Sequence, residues 1–143
     1  MTEKILSKEL CFQLYIASKG IIKKYNSHLD KYSLTYTGFI AMLAIENEMT
    51  INKLGEELSL DSGTLSPLLK RLELKGYILR KRSNQDERSV ELFLTEEGEK
   101  IKKKLPFISI EVGESLVSCS EPVNYELLLS QMLILNKNMK NNL

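Results

Sequence analysis

The hydrophobic periodicity of this chain changes at Gly76, and that change limits the fold more than any other feature. Before Gly76, apolar residues recur every three or four positions, the spacing of one helical face. Leu6, Leu10, Leu14, Ala17, Ile21, Tyr25 and Leu29 predict one long amphipathic helix over about residues 7–30. Thr35 can cap a second helix carrying Phe39, Ile40, Met42, Leu43 and Ile45. Thr50 can cap a short third helix with Ile51, Leu54 and Leu58 facing inward. A polar turn over residues 59–63 leads into a fourth helix, roughly 62–75, with Gly76 as its stop. The first turn of that helix is expected just before Pro67, because a missing N–H costs least there.

Beyond Gly76 the period falls to two. Residues 77–82 read as a strand and residues 83–87 as a polar turn. Val90, Leu92 and Leu94 then alternate with Ser89, Glu91 and Phe93 as a second strand, so the pair is a β-hairpin with a basic, polar tip. Thr95-Glu96-Glu97-Gly98 starts another helix, its acidic residues in the first turn where the helix dipole favours them. Pro106 is expected to kink or break it before it resumes towards Leu116, and residues 118–122 read as a loop. Tyr125, Leu128, Leu129, Met132, Leu135 and Met139 mark a final amphipathic helix.

The 143 residues suffice for one domain with a real core. The expected class is mainly α with a small β-hairpin wing (α+β), a winged helix-turn-helix with N- and C-terminal dimerisation helices. Residues 1–143 form one unit in this reading, with the DNA-binding region at about 35–100 and dimerisation helices at about 7–30 and 122–140. Both terminal helices carry wide apolar faces, and pairing them with a second copy in a homodimer would cover those faces. No apolar run approaches the roughly 18 residues that span a bilayer. With no membrane segment and no signal peptide read at the N-terminus, the expected location is the cytoplasm.

Net charge is only +1, but it is unevenly spread. Between residues 70 and 88, seven positive residues (Lys70, Arg71, Lys75, Arg80, Lys81, Arg82, Arg88) face three negative ones (Glu73, Asp86, Glu87), a local excess of +4. A basic strip on a near-neutral chain is what a phosphate-contacting surface needs. The second helix of a helix-turn-helix can enter the major groove of double-stranded operator DNA with its N-terminal residues against base edges. Those residues are Ser62, Thr64, Ser66 and Pro67, followed one turn on by Lys70 and Arg71, which suit phosphates or guanine edges. Arg88 at the hairpin tip can reach a neighbouring minor groove, with Asp86 expected to orient it as an ion pair.

These segments carry a family likeness. The run Leu60-Asp61-Ser62-Gly63-Thr64-Leu65-Ser66-Pro67-Leu68-Leu69-Lys70-Arg71-Leu72-Glu73 resembles the recognition helix of the MarR family, in particular its OhrR branch of organic-hydroperoxide repressors. Asp86-Glu87-Arg88-Ser89-Val90 resembles that family's wing, and Leu94-Thr95-Glu96-Glu97-Gly98 its return into helix. Leu10-Cys11-Phe12-Gln13-Leu14-Tyr15 resembles the sensing segment, and Leu34-Thr35-Tyr36 the start of the second helix. The likeness covers roughly residues 7–100 and is only a helical pattern beyond that.

The resemblance implies a redox sensor. Cys11 would be the thiol that an organic hydroperoxide oxidises, first to the sulfenic acid. A cysteine reacts as the thiolate, and hydrogen bonds to the charged form favour it. By motif position Tyr25 and Tyr36 of the partner subunit would supply such bonds, with Tyr15 on the same helical face as Cys11. Cys119, the second of two cysteines, falls where two-cysteine members place a resolving thiol. An intersubunit Cys11–Cys119 disulfide is therefore implied, subject to Cα atoms lying within about 7 Å. Three alternatives remain. One is a one-cysteine sensor forming a mixed disulfide with a low-molecular-weight thiol, and another is a regulator that responds to a phenolic ligand. The third is a thiol peroxidase, which the helix-turn-helix and the wing argue against. No cofactor or metal is expected and no enzyme activity. His28 is the sole histidine and reads as solvent-facing, the cysteines lack zinc-site spacing, and there is no phosphate loop or nucleophile elbow.

Overall fold

A computed structural model describes residues 5–118 and 120–141. In chain order it contains α1 (Leu10–Leu29), a single 3-10 turn (Asp30–Tyr32), α2 (Tyr36–Ala44), β1 (Met49–Thr50), α3 (Ile51–Leu58) and α4 (Ser62–Leu74). The strands β2 (Ile78–Arg82) and β3 (Val90–Leu94) follow, then α5 (Glu96–Val117) and α6 (Tyr125–Asn141). The class is mostly helical with one small antiparallel sheet, as the change of period requires. The chain divides into two compact units, one ending at Ile108 and one beginning at Ser109.

In the first unit, local chemistry sets the element ends. Thr35, Thr50 and Asp61 each accept a bond from a backbone N–H three residues on, Gly38, Lys53 and Thr64 respectively, and so start α2, α3 and α4. α4 ends in a Schellman motif: Gly76 N–H donates to Glu73 O at 2.9 Å and Tyr77 N–H to Leu72 O at 3.1 Å, with Gly76 at φ 76°. α3 ends the same way, through Ser59 N–H to Glu56 O and Leu60 N–H to Gly55 O, but with Ser59 in the left-handed conformation at φ 53°. Gly55 allows that tight turn, because a Cβ there would stand 3.0 Å from the Leu60 carbonyl oxygen.

The buried side chains of this unit come from every helix around the turn. Leu29, Phe39, Met42, Ile45 and Leu54 meet Leu65, Leu68, Leu69 and Leu72 of α4, with Ile78 and Leu92 from the sheet and Ile101 and Leu105 from α5 also buried. The strand order is β1-β3-β2. β2 and β3 pair in register from Ile78↔Leu94 to Arg82↔Val90, and β1 pairs with β3 at Met49↔Leu92 and Thr50↔Glu91. The hairpin is thus tied to the residue that caps α3. Two residues are too short to show a period, so β1 is invisible in the sequence.

Two expectations need correction. The Asp61 cap starts α4 at Ser62, which puts Pro67 in the second turn rather than just after the first. Pro67 has no N–H to offer the Gly63 carbonyl, and both residues are exposed, so that oxygen can be hydrated. Pro106 does not break α5, which runs unbroken from Glu96 to Val117. Pro106 is exposed while Leu105 and Ile108 beside it are buried, so the disrupted bond lies on the wet side. Within the single chain the apolar stripe of α1 stays largely exposed: only Leu29 is buried, while Leu10 and Ile16 are 63% and 48% exposed.

The second unit holds the end of α5 and all of α6. No residue of α6 is buried, and Leu127, Leu128, Leu133 and Ile134 are all more than half exposed. Ser109, Ile110, Gly113, Glu114, Val117 and Tyr125 line an open cavity of about 360 Å³ there. Among the described residues no helix is long and apolar enough to cross a membrane.

Candidate nucleic-acid interface and thiol site

α4 separates its two faces cleanly. Leu65, Leu68, Leu69 and Leu72 are buried, while Ser62, Thr64, Ser66, Pro67, Lys70 and Arg71 are all exposed. The packing of the four leucines forces this, since residues three and four apart share a face. The six residues expected to read DNA all lie outside the buried leucine face of α4. The polar ones carry hydroxyl, ammonium or guanidinium donors at the start and middle of a helix whose first N–H groups are already fixed by Asp61.

The wing supplies the second arm. Ser83 N–H donates to Ser89 O at 2.9 Å and Ser89 N–H to Asp86 O at 2.9 Å, closing the tip beyond the last strand pair. The Asp86 carboxylate accepts the backbone N–H of Arg88 at 3.0 Å and the hydroxyl of Ser89 at 3.2 Å. Asp86 thus shapes the tip through the backbone, where the sequence suggests an ion pair with the Arg88 side chain. The carboxylate sits at the first position of a turn and captures the nearest donors two and three residues on. Arg88 is exposed and lines a cleft of about 190 Å³ with Thr50, Ile51, Asn52, Ser89 and Val90. Asn52 was not singled out from sequence, because only the β1–β3 pairing brings the start of α3 beside the wing tip.

The thiol site is assembled differently. Tyr25 on α1 and Tyr36 on α2 stand edge to face with ring centroids 5.0 Å apart, and Phe39 packs against both at 5.1 and 5.9 Å. Asn26 holds this corner by accepting the Tyr36 backbone N–H at 3.0 Å. Burial, and secondarily the neighbouring Tyr25 phenol, push the Tyr36 hydroxyl above the usual tyrosine range. Cys11 is a free, exposed cysteine on the same helix as Tyr25. Fourteen residues of helix separate them, about 21 Å along the axis. Within one chain the tyrosine pair therefore cannot touch Cys11. Tyr15 is exposed and receives a weak bond from Lys19 Nζ at 3.4 Å. Cys119 lies outside the described residues. Among the described residues no group of three or more His, Cys, Asp or Glu side chains could hold a metal ion.

The family described as transcriptional regulator SarA/Rot matches residues 23–105. HTH-type transcriptional regulator SarZ of Staphylococcus aureus (strain USA300) is 55% identical over 109 residues, 75% of this chain and 74% of that protein. The chain belongs to the SarA/Rot family of transcriptional regulators. The family match over residues 23–105 contains the helix-turn-helix, the wing, Tyr25 and Tyr36, and leaves out Cys11 and Cys119. Among solved structures, reduced AbfR bound to DNA superposes with a TM-score of 0.79 at 28% identity, covering 99% of this chain and 96% of that one. AbfR of Staphylococcus epidermidis gives 0.76 at 28% identity over 98% and 97%. The transcriptional regulator SlyA gives 0.82 at 16% identity over 94% and 96%, a likeness of fold alone. Membership of the SarA/Rot family agrees with the MarR-like winged helix read from the sequence.

Proposed function

We propose that this member of the SarA/Rot family is a homodimeric repressor that binds double-stranded operator DNA and is released when an organic hydroperoxide oxidises Cys11. The DNA half of the reading is supported by the exposure of Ser62, Thr64, Ser66, Pro67, Lys70 and Arg71 on α4, opposite its buried leucines. Ser62, Thr64, Ser66 and Pro67 meet base edges in the major groove, Lys70 and Arg71 meet phosphates or guanine edges, and Arg88 enters the minor groove from a tip shaped by Asp86. SarZ, an HTH-type transcriptional regulator, and AbfR, solved bound to DNA, support this half.

The dimer is supported by the apolar side chains left exposed on α1 and α6, more than a monomer of this size ordinarily leaves in water. In this reading residues of about 7–30 and 122–140 form the interface.

The redox half rests on the separation of Cys11 from Tyr25 and Tyr36. A second subunit running antiparallel along α1 brings its tyrosine pair to the thiol, where phenol O–H groups stabilise the thiolate and Tyr15 adds a third hydroxyl. The thiolate sulfur attacks the peroxide O–O bond, alcohol leaves, and Cys11 becomes the sulfenic acid. Attack by the Cys119 thiolate of the other subunit then forms the disulfide and releases water. AbfR, 28% identical, is solved in a reduced and an overoxidised form, both bound to DNA, so a relative of this chain exists in more than one redox state. A link at Cys11 shifts the population towards dimers whose α4 helices no longer span successive major grooves.

One second reading has an observation behind it. The half-buried Tyr25 and Tyr36 rings, backed by the buried Phe39, form a stacking surface that suits a phenolic ligand. A titration separates the two: reduced protein on a duplex selected from a random-sequence pool is mixed with cumene hydroperoxide or with salicylate. Release by the peroxide alone supports the redox reading, and release by salicylate with Cys11→Ser unaffected replaces it.

A further inference from the structure

We infer that Glu73 and Arg80 are positioning residues for DNA binding, a strut that holds the wing at a fixed angle to the reading helix. The inference rests on the DNA reading above and deepens it. Glu73 sits in the last turn of α4, and Arg80 is the central residue of β2, paired across the sheet with Leu92. The guanidinium donates twice to the same carboxylate oxygen, from Nε at 2.9 Å and from Nη2 at 2.6 Å. Both side chains are about one-third exposed, 31% for Arg80 and 35% for Glu73, so the contact is partly shielded from water and salt.

The placement gives the strut its purpose. The only covalent path from α4 to β2 passes through Gly76, the most permissive residue at a bend of φ 76°. The five strand pairs between β2 and β3 carry any tilt at Arg80 out to the tip, where Arg88 sits. The exposed face of α4 and Arg88 must meet two different grooves at once, so an error in that angle costs one contact or the other. Arg80 is thereby removed from the set of basic residues free to neutralise phosphate, although its charge belongs to the same strip as Lys70, Arg71 and Arg88. Elementary electrostatics predicts the opposite outcome for removal of Glu73. Deleting a carboxylate beside a DNA-facing surface makes the field more positive and, with no strut, tightens binding.

The test is a double-mutant cycle on binding to a duplex selected with the wild-type protein, read by fluorescence anisotropy. Glu73→Ala is expected to bind about tenfold more weakly, and the loss caused by Arg88→Ala is expected to shrink to less than half its size in the Glu73→Ala background. Circular dichroism checks that each variant is folded. Where Glu73→Ala is not, Arg80→Gln with and without Arg88→Ala gives the same coupling. Binding by Glu73→Ala as tight as wild type or tighter, or an Arg88→Ala loss of undiminished size, overturns the strut while leaving the DNA reading standing. Failure of the wild type to select any duplex overturns the DNA reading and the strut with it, whereas no effect of Arg88→Ala alone removes the wing from the interface and overturns the strut.

Discussion

Gly98→Ala is the substitution whose cost can be worked most directly from the geometry. Gly98 lies in the first turn of α5, against Tyr77 between the end of α4 and the start of β2. A Cβ built there stands 2.0 Å from the Tyr77 carbonyl oxygen and 2.9 Å from its carbon, both backbone atoms that cannot rotate away. Ordinary contact needs more than about 1 Å of further separation. That movement strains two bonds which hold the junction, Thr95 N–H to Tyr77 O at 3.0 Å and Thr95 hydroxyl to Gly76 O. Each contributes about 1 kcal/mol net. Overpacking adds about 2 kcal/mol, and the better helix propensity of alanine returns about 1 kcal/mol. The expected loss is about 3 kcal/mol, which for a chain of this length lowers the melting temperature by roughly 10 °C. A thermal melt followed by circular dichroism measures it. A melting temperature within about 2 °C of wild type would refute the claim that the wing and α5 are locked through this backbone contact.

Asp61→Ala removes the cap of the reading helix and should cost about 1 kcal/mol in denaturant melts while weakening DNA binding, because Ser62 and Thr64 lose their fixed turn. Arg88→Ala should weaken binding and reduce the slope of log affinity against log salt by about 1; an unchanged slope removes the wing from the interface. Tyr77 donates its hydroxyl to Tyr32 O at 2.9 Å, and burial, then Glu97 and Tyr32, hold that phenol above the usual tyrosine range. A raised folded value means the folded state keeps its proton longer than the unfolded chain. The associated stability is therefore complete below pH of about 10 and is lost as pH rises through the folded value. Tyr77→Phe should cost about 1 kcal/mol at neutral pH and flatten the alkaline fall in stability; an identical fall in both proteins assigns it to other groups.

Much of the frame was legible because its signals are local. The hydroxyls of Thr35, Thr50 and Thr95 act on the backbone three residues ahead, and Gly76 acts at its own φ, so each helix end could be read from a few letters. The outward face of α4 followed from the spacing of four leucines. Features that depend on residues far apart were not legible. β1 exists only because Met49 and Thr50 lie beside Leu92 and Glu91. The Glu73–Arg80 contact spans the Gly76 bend and obeys no helical or strand spacing. Asp86 could be placed at the wing tip but not given its backbone partners, which depend on how the turn closes. For the thiol site the sequence offered the residue types, and the fold joins Tyr25 to Tyr36 while setting Cys11 apart from Tyr25 along one helix.

The most direct test of the whole account pairs a non-reducing gel with operator binding, before and after one equivalent of cumene hydroperoxide, for wild type, Cys11→Ser and Cys119→Ser. The account predicts that reduced wild type binds, that peroxide releases it as a covalent dimer band appears, and that Cys11→Ser stays bound with no band. Loss of the band with release intact in Cys119→Ser would move the chemistry to a mixed disulfide with a small thiol. Release of Cys11→Ser by peroxide, as readily as wild type, would contradict the account at its centre.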